Sequence, residues 1–108
     1  MHSARAVSHL EDTDTEAQEA RSRQRAERAK LDAQREVDDT KWLMGSKRGR
    51  RIVWRQLERA GVFRLSFNTN AMQMAFAEGG RNEGLKLLAM VHQHCPELYV
   101  DMLKEQTE

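Results

Sequence analysis

KWLMGSKRGRRIVWRQLERAGVFR, residues 41–64, decides the reading of the fold. Gly45 follows Trp42, Leu43 and Met44 as a helix stop. Ser46 stands where the next helix needs an N-cap, a position at which a hydroxyl accepts from a free N–H of the first turn. From Lys47 to Ala60 there is no proline, and Val53, Leu57 and Ala60 step by three and four residues, with Trp54 widening the face they make. Gly61 ends the run, and Leu57 and Val62 have the spacing of the apolar contact in a Schellman close. Gly49 costs about 1 kcal/mol relative to Ala inside a helix. Its presence predicts either a slightly later helix start or a close backbone approach by something large.

The same stretch is the basic centre of the chain. It holds eight Lys/Arg (Lys41, Lys47, Arg48, Arg50, Arg51, Arg55, Arg59, Arg64) against the single acid Glu58. Residues 1–40 and residues 65–108 are each net acidic, so a formal charge of only +1 conceals an acidic–basic–acidic layout. A field concentrated in this way favours a polyanion or an acidic protein surface as partner. Arginine suits either, because its planar fork pairs with phosphate or carboxylate through two hydrogen bonds.

Outward from this centre the two sides differ. Upstream, the spacings Thr13–Glu16 and Thr15–Gln18 are those of capping boxes. Residues 17–39 then run without Gly or Pro and are rich in Ala, Arg, Glu and Gln, all strong helix formers. The only apolar stripe there is Ala26, Ala29, Ala33 and Val37, too thin to bury a helix well. Downstream, Phe63, Leu65 and Phe67 read as core plugs in a loop, with Asn68 or Asn70 as the next cap. Met72, Ala75 and Phe76 form a helical face that Gly79–Gly80 is expected to interrupt or kink. Leu85, Leu88 and Val91 form the next face, and Pro96 opens a last helix with Leu98, Tyr99, Met102 and Leu103 inward.

The fold class is therefore all-α: a flexible leader (1–12), a charged N-terminal helical arm (13–44) and a compact head of three to four short helices (45–108). The expected core is Val53, Trp54, Leu57, Phe63, Phe67, Phe76, Leu85, Leu88 and Tyr99. So small a core leans on oligomerisation or a partner surface. The expected contact residues for partner or DNA are Lys47, Arg48, Arg50, Arg51, Arg55 and Trp42, with Arg21, Arg25, Arg28 and Arg35 as arm contacts.

Catalytic and metal chemistry find little support. His92, His94 and Cys95 crowd together, but a structural zinc wants four ligands at recognisable spacings and no second His/Cys pair exists. No acid is placed to orient a Cys–His pair. GGRNEG lacks the GK[ST] ending and the preceding strand of a phosphate loop, and close helix packing at Gly79, Gly80 and Gly84 accounts for it better. No cofactor, metal or catalytic residue is expected. No apolar run approaches a membrane span or a secretory h-region, so neither a membrane anchor nor a classical signal is expected. The lone Cys95 excludes an internal disulfide.

Three strings, KWLMGSKRGRRIVWRQLERAGVF, SFNTNAMQMAFAEGGRNEGLKLL and CPELYVDML, together resemble a family of small virion-associated proteins of short-tailed bacteriophages, the Bordetella-phage type. The resemblance covers residues 38–105. Its signposts are Trp42, Gly49-Arg50-Arg51, Gly61-Val62-Phe63, Phe76, Glu78-Gly79, Arg81-Asn82, Gly84-Leu85 and Pro96–Tyr99. It departs at Gly80, where a further basic residue is expected. The resemblance implies a helical, non-enzymatic, virion-associated protein. The function expected from all of this is a structural accessory acting in multiple copies at the head, portal or DNA-ejection machinery. Its partners would be portal, core or capsid-ring proteins, packaged DNA contacted without sequence preference, and other copies of itself. It would be made in the host cytoplasm and reside in the virion. The alternative is an intracellular phage regulator that binds nucleic acid through its basic helix.

Overall fold

The structure, a computed structural model, describes residues 12–108 in full and residues 2–11 by their helical backbone alone. Four helices follow one another: α1 (His2–Met44), α2 (Lys47–Ala60), α3 (Ala71–His94) and α4 (Pro96–Glu105). Among the described residues there is no strand, as the absence of any period-two pattern requires. The chain divides into two units, Met1–Glu36 and Val37–Glu108.

In the first unit, residues 12–36 are solvent-exposed apart from half-buried Ala20. The alanine stripe thus buries nothing within the chain, and even Leu31 is exposed. Helix propensity and same-face ion pairs, Glu27 with Lys30 at 3.9 Å and Asp32 with Arg35 at 3.8 Å, support the turns. Such exposed pairs contribute only a few tenths of a kcal/mol each. The leader expected over residues 1–12 lies outside the residues described in full, save Asp12. Thr13 and Thr15 stand within α1 instead of starting it, because no Gly or Pro upstream breaks the helix.

The second unit begins inside α1, eight residues earlier than the head boundary expected at Gly45. The reason is burial. Thr40 and Met44 on the last turns of α1 are sealed into the core, and Leu43 packs against it. Ser46 then caps α2, its Oγ accepting from Gly49 N–H at 3.0 Å. Gly49 is buried because the backbone of α1 crosses there: a Cβ at this position would fall on the Leu43 carbonyl. Of the two readings of Gly49, the close backbone approach is the one realised.

At the far end of α2, Gly61 takes the left-handed conformation at φ 76°. Gly61 N–H donates to Glu58 O at 3.0 Å and Val62 N–H to Leu57 O at 3.2 Å, which completes the Schellman pattern. Leu57 and Val62 are both buried, as that pattern's apolar contact demands. Asn70 caps α3, its Oδ1 accepting from Met72 N–H at 3.0 Å and Gln73 N–H at 3.1 Å. Pro96 opens α4 directly after Cys95, the non-helical residue that separates it from α3.

Helices α2, α3 and α4 pack mutually. The fully enclosed core is Met44, Val53, Leu57, Val62, Val91, Cys95 and Met102. Gly84 lets α3 meet the end of α2, since a Cβ there would lie 2.5 Å from Val62 Cγ2 and 2.6 Å from Ala60 Cβ. Three expectations need correcting. Gly79 and Gly80 neither break α3, which is continuous over 24 residues, nor mark a close contact, since nothing lies within 4 Å of a Cβ built at either. Phe67 and Phe76 are 81% and 86% exposed and are not core, nor is the loop residue Leu65. Phe63, expected in the core, is half in solvent, stacked on half-buried Trp54 with ring centroids 5.0 Å apart. For Phe76 the helical spacing is right, but α2 and α4 cover only one side of α3; Phe63, Leu65 and Phe67 lie in the loop between α2 and α3, outside that cover.

Removing residues 1–36 is expected to leave the second unit's thermal unfolding transition within a few degrees of its position in the full chain, because the lost residues bury almost nothing. Circular dichroism on the 37–108 fragment checks this, and loss of the transition would show that the arm completes the fold.

Candidate functional site

Helix α2 presents one face to the core and the other to solvent. Gly49, Val53 and Leu57 are buried, with Ala60 half-buried beside them. At about 100° per residue, this leaves Arg48, Arg51, Arg55 and Arg59 together on the opposite side, and all four are exposed. Among the described residues none of the four guanidinium groups makes an ion pair or hydrogen bond. The stripe spans about 16 Å along the helix axis, from 11 steps of 1.5 Å. Glu58 alone interrupts its charge. Lys47 stands at its start, exposed and bonded to Glu108 Oε2 at 3.3 Å.

Arg50 does not belong to this surface. Its guanidinium turns inward, Nε donating to Glu105 Oε1 at 2.9 Å and Nη2 to the same oxygen at 2.6 Å. Its Nη1 donates to the Met44 carbonyl at 2.8 Å, and both side chains of the pair are only 13% exposed. One arginine thus ties the end of α1, the start of α2 and the end of α4 together. Sequence reasoning grouped Arg50 with its neighbours because charge runs carry no information about facing. The helical angle does, since Arg50 sits beside Val53 and Leu57 on the inner arc.

The Arg50 hydrogen bonds hold the Glu105 carboxyl below its ordinary value of 4.5, opposed by burial and aided by the charges of Arg50, Lys47 and Arg51. A carboxylate lowered on folding stabilises the fold above its unfolded pKa, and that contribution is lost as pH falls through the lower folded value. Stability is therefore expected to hold from neutrality down to about pH 4.5 and to drop below it, with Glu105→Gln showing a flatter acid limb. Denaturation midpoints measured as a function of pH check this, and identical acid limbs in the two proteins would remove Glu105 as the cause.

The other expected contact residues are scattered. Trp42 is 82% exposed on the last turns of α1, beside the buried Thr40 and Met44. Arg21, Arg25, Arg28 and Arg35 are exposed on the first unit, Arg35 paired with Asp32. Arg59 and Arg64 were not among the expected contacts. Arg59 completes the α2 stripe, and exposed Arg64 donates from Nη2 to the Glu58 carbonyl at 2.9 Å. The step from 48 through 51, 55 and 59 carries the signal that finds Arg59.

Cys95 is fully enclosed, and burial pushes its thiol up, with Glu97 adding to the shift against Lys41. That is the wrong direction for a nucleophile or a thiolate ligand. His92 is exposed and lies against the Tyr99 ring, centroids 4.2 Å apart. Among the described residues no group of three His, Cys, Asp or Glu gathers as a metal site, and no helix is long and apolar enough to cross a membrane.

Residues 40–104 match the model of a protein family described as Bbp19-like phage protein. The matched region begins at the buried Thr40 and ends in α4, so it falls within the second unit and includes the whole arginine stripe. Comparison with curated proteins and with solved structures gave no match.

Proposed function

The chain belongs to the Bbp19-like phage protein family, and on that premise we propose that it is a non-enzymatic accessory component of the phage particle. It works in multiple copies at the head, portal or DNA-ejection machinery, and it docks through the exposed face of α2. The observation that carries this reading is the stripe Arg48, Arg51, Arg55 and Arg59. Four cations held on one rigid helix face, none in an ion pair among the described residues, fit a row of carboxylates or phosphates.

Between these two, an acidic protein surface is the better fit. Large apolar side chains, Trp42 and Ile52 among them, stand exposed on the helices that carry or precede the stripe. Phosphate contacts gain little from such groups, whereas protein interfaces are anchored by aromatic residues ringed with arginine. Packaged DNA remains the second reading, and the regularity of the stripe favours it: binding would be indifferent to sequence and would weaken steeply with salt.

Mass spectrometry of gradient-purified particles tests the proposal. The protein is expected at a fixed copy number above one per particle. Charge reversal at Arg55 and Arg59, exposed and remote from the Arg50–Glu105 pair, is expected to abolish incorporation while leaving helical content intact. Absence from particles, with the protein present early in infected cells, would overturn the virion reading in favour of a regulator.

A further inference from the structure

Helix α3 is apolar on two sides, and the fold uses one. Gly84, Leu85, Leu88 and Val91 serve the core, whereas Met72 and Phe76, one turn apart on the outer side, stand 82% and 86% exposed. The exposed surface continues off the helix. Phe76, Ala77 and Gly80 share a groove with Leu65, Gly61 and Arg64, and Arg64 also lines the adjoining groove of Trp54 and Phe63. Taking the exposed fractions of Phe63, Leu65, Phe67, Met72 and Phe76 with the usual areas of such side chains gives roughly 700 Å² of apolar surface. That exceeds the largest patch of a typical monomer, about 300–600 Å². It approaches the roughly 800 Å² that each partner buries in a standard interface.

We propose that this surface is covered by the same surface of a second copy, two α3 helices packing antiparallel about a two-fold axis. The proposal deepens the multi-copy part of the function proposed above and rests on it. Two features of α3 select a second copy as occupant. One is shape. Gly79 and Gly80 lie next to Phe76 with open space above them, so the helix carries a large knob beside a hole. In the antiparallel register that seats Phe76 over Gly79 of the second copy, Met72 falls opposite the aliphatic stem of its Glu83. Phe76, Gly79, Met72 and Glu83 each lie within about 80° of the helix's outward direction, opposite Gly84, Leu85, Leu88 and Val91. The other feature is charge. Glu78 pairs with Arg81 at 3.7 Å and Glu83 with Lys86 at 2.9 Å, so two copies meet with no net like charge on the helix. Such a contact is closed and isologous, the commonest form of protein dimer.

Sedimentation of the full-length protein over a concentration series tests this. The wild-type chain is expected to sediment as a dimer that dissociates on dilution. Phe76→Glu and Gly79→Leu, one removing the knob and the other filling the hole, are each expected to weaken dimerisation by about tenfold or more, the loss that follows removal of an aromatic anchor. Both positions are exposed in the single chain, so helical content at equal concentration should be retained, and circular dichroism confirms it. A wild-type chain that is monomeric at every concentration overturns the inference. So does an oligomer indifferent to both substitutions, and so does a monomer that binds an acid-rimmed helix of another virion protein at Arg59 and Arg64. Particle composition separates this from the virion reading. A monomer found in particles overturns the dimer alone, and a dimer absent from particles overturns the virion reading alone.

Discussion

Leu57→Ala is expected to unfold the second unit or leave it barely folded at room temperature. Leu57 is fully enclosed in a small core of seven buried apolar residues, with Val53 one turn before it and Val62 beyond the Gly61 close. Removing a leucine from such a site forfeits its transfer free energy and leaves a cavity, together about 2–5 kcal/mol. A single core in a unit of this size supplies about 3–5 kcal/mol in total. The substitution therefore takes most of the available stability. Trp54→Ala makes the comparison informative. Trp54 is half-buried and stacked on Phe63, itself half in solvent, so its loss should cost distinctly less than that of Leu57 despite its greater size. Urea titration followed by helical circular dichroism ranks the two. If Trp54→Ala proves the more damaging, the centre of the core lies at the Trp54–Phe63 stack and not at Leu57.

That ranking also marks where the sequence was informative. Caps and closes were legible because they depend on residues adjacent in the chain: Ser46, Gly61 with Leu57 and Val62, and Asn70 all act within a few positions of themselves. The α2 core face was legible because three- and four-residue steps through Val53, Leu57 and Ala60 fix a direction. Phe76 was misplaced for a different reason. Periodicity shows that residues share a face but not whether anything covers it, and on α3 both sides carry large apolar groups. The same limit hid the role of Arg50. Its partner Glu105 lies 55 residues away, and nothing local to either residue indicates the pairing. The contact surface was legible as a charge run, and only the helix direction separates the structural Arg50 from the exposed Arg48, Arg51, Arg55 and Arg59.

Glycine substitutions in the two long helices of the second unit are expected to act with opposite signs. On propensity alone Gly49→Ala should stabilise α2 by about 1 kcal/mol, and so should Gly79→Ala in α3. For Gly79 nothing lies within 4 Å of the added methyl, so in the dissociated chain the gain is expected in full. For Gly49 the methyl would land on the Leu43 carbonyl, which is backbone and cannot escape by changing rotamer. Relief requires moving the last turn of α1 away from α2. That motion also pulls Met44 from the core and strains the bond from Arg50 Nη1 to the Met44 carbonyl. Overpacking alone costs about 1–3 kcal/mol, and backbone displacement raises it. The expected result is a denaturation midpoint well below wild type for Gly49→Ala and above it for Gly79→Ala, both read at dilutions where no association occurs. A stabilised Gly49→Ala protein would mean that α1 and α2 do not cross at this glycine. Glycine would then be present at position 49 for a reason other than the fold, with the neighbouring Arg48 and Arg51 pointing to close approach by the partner's own backbone.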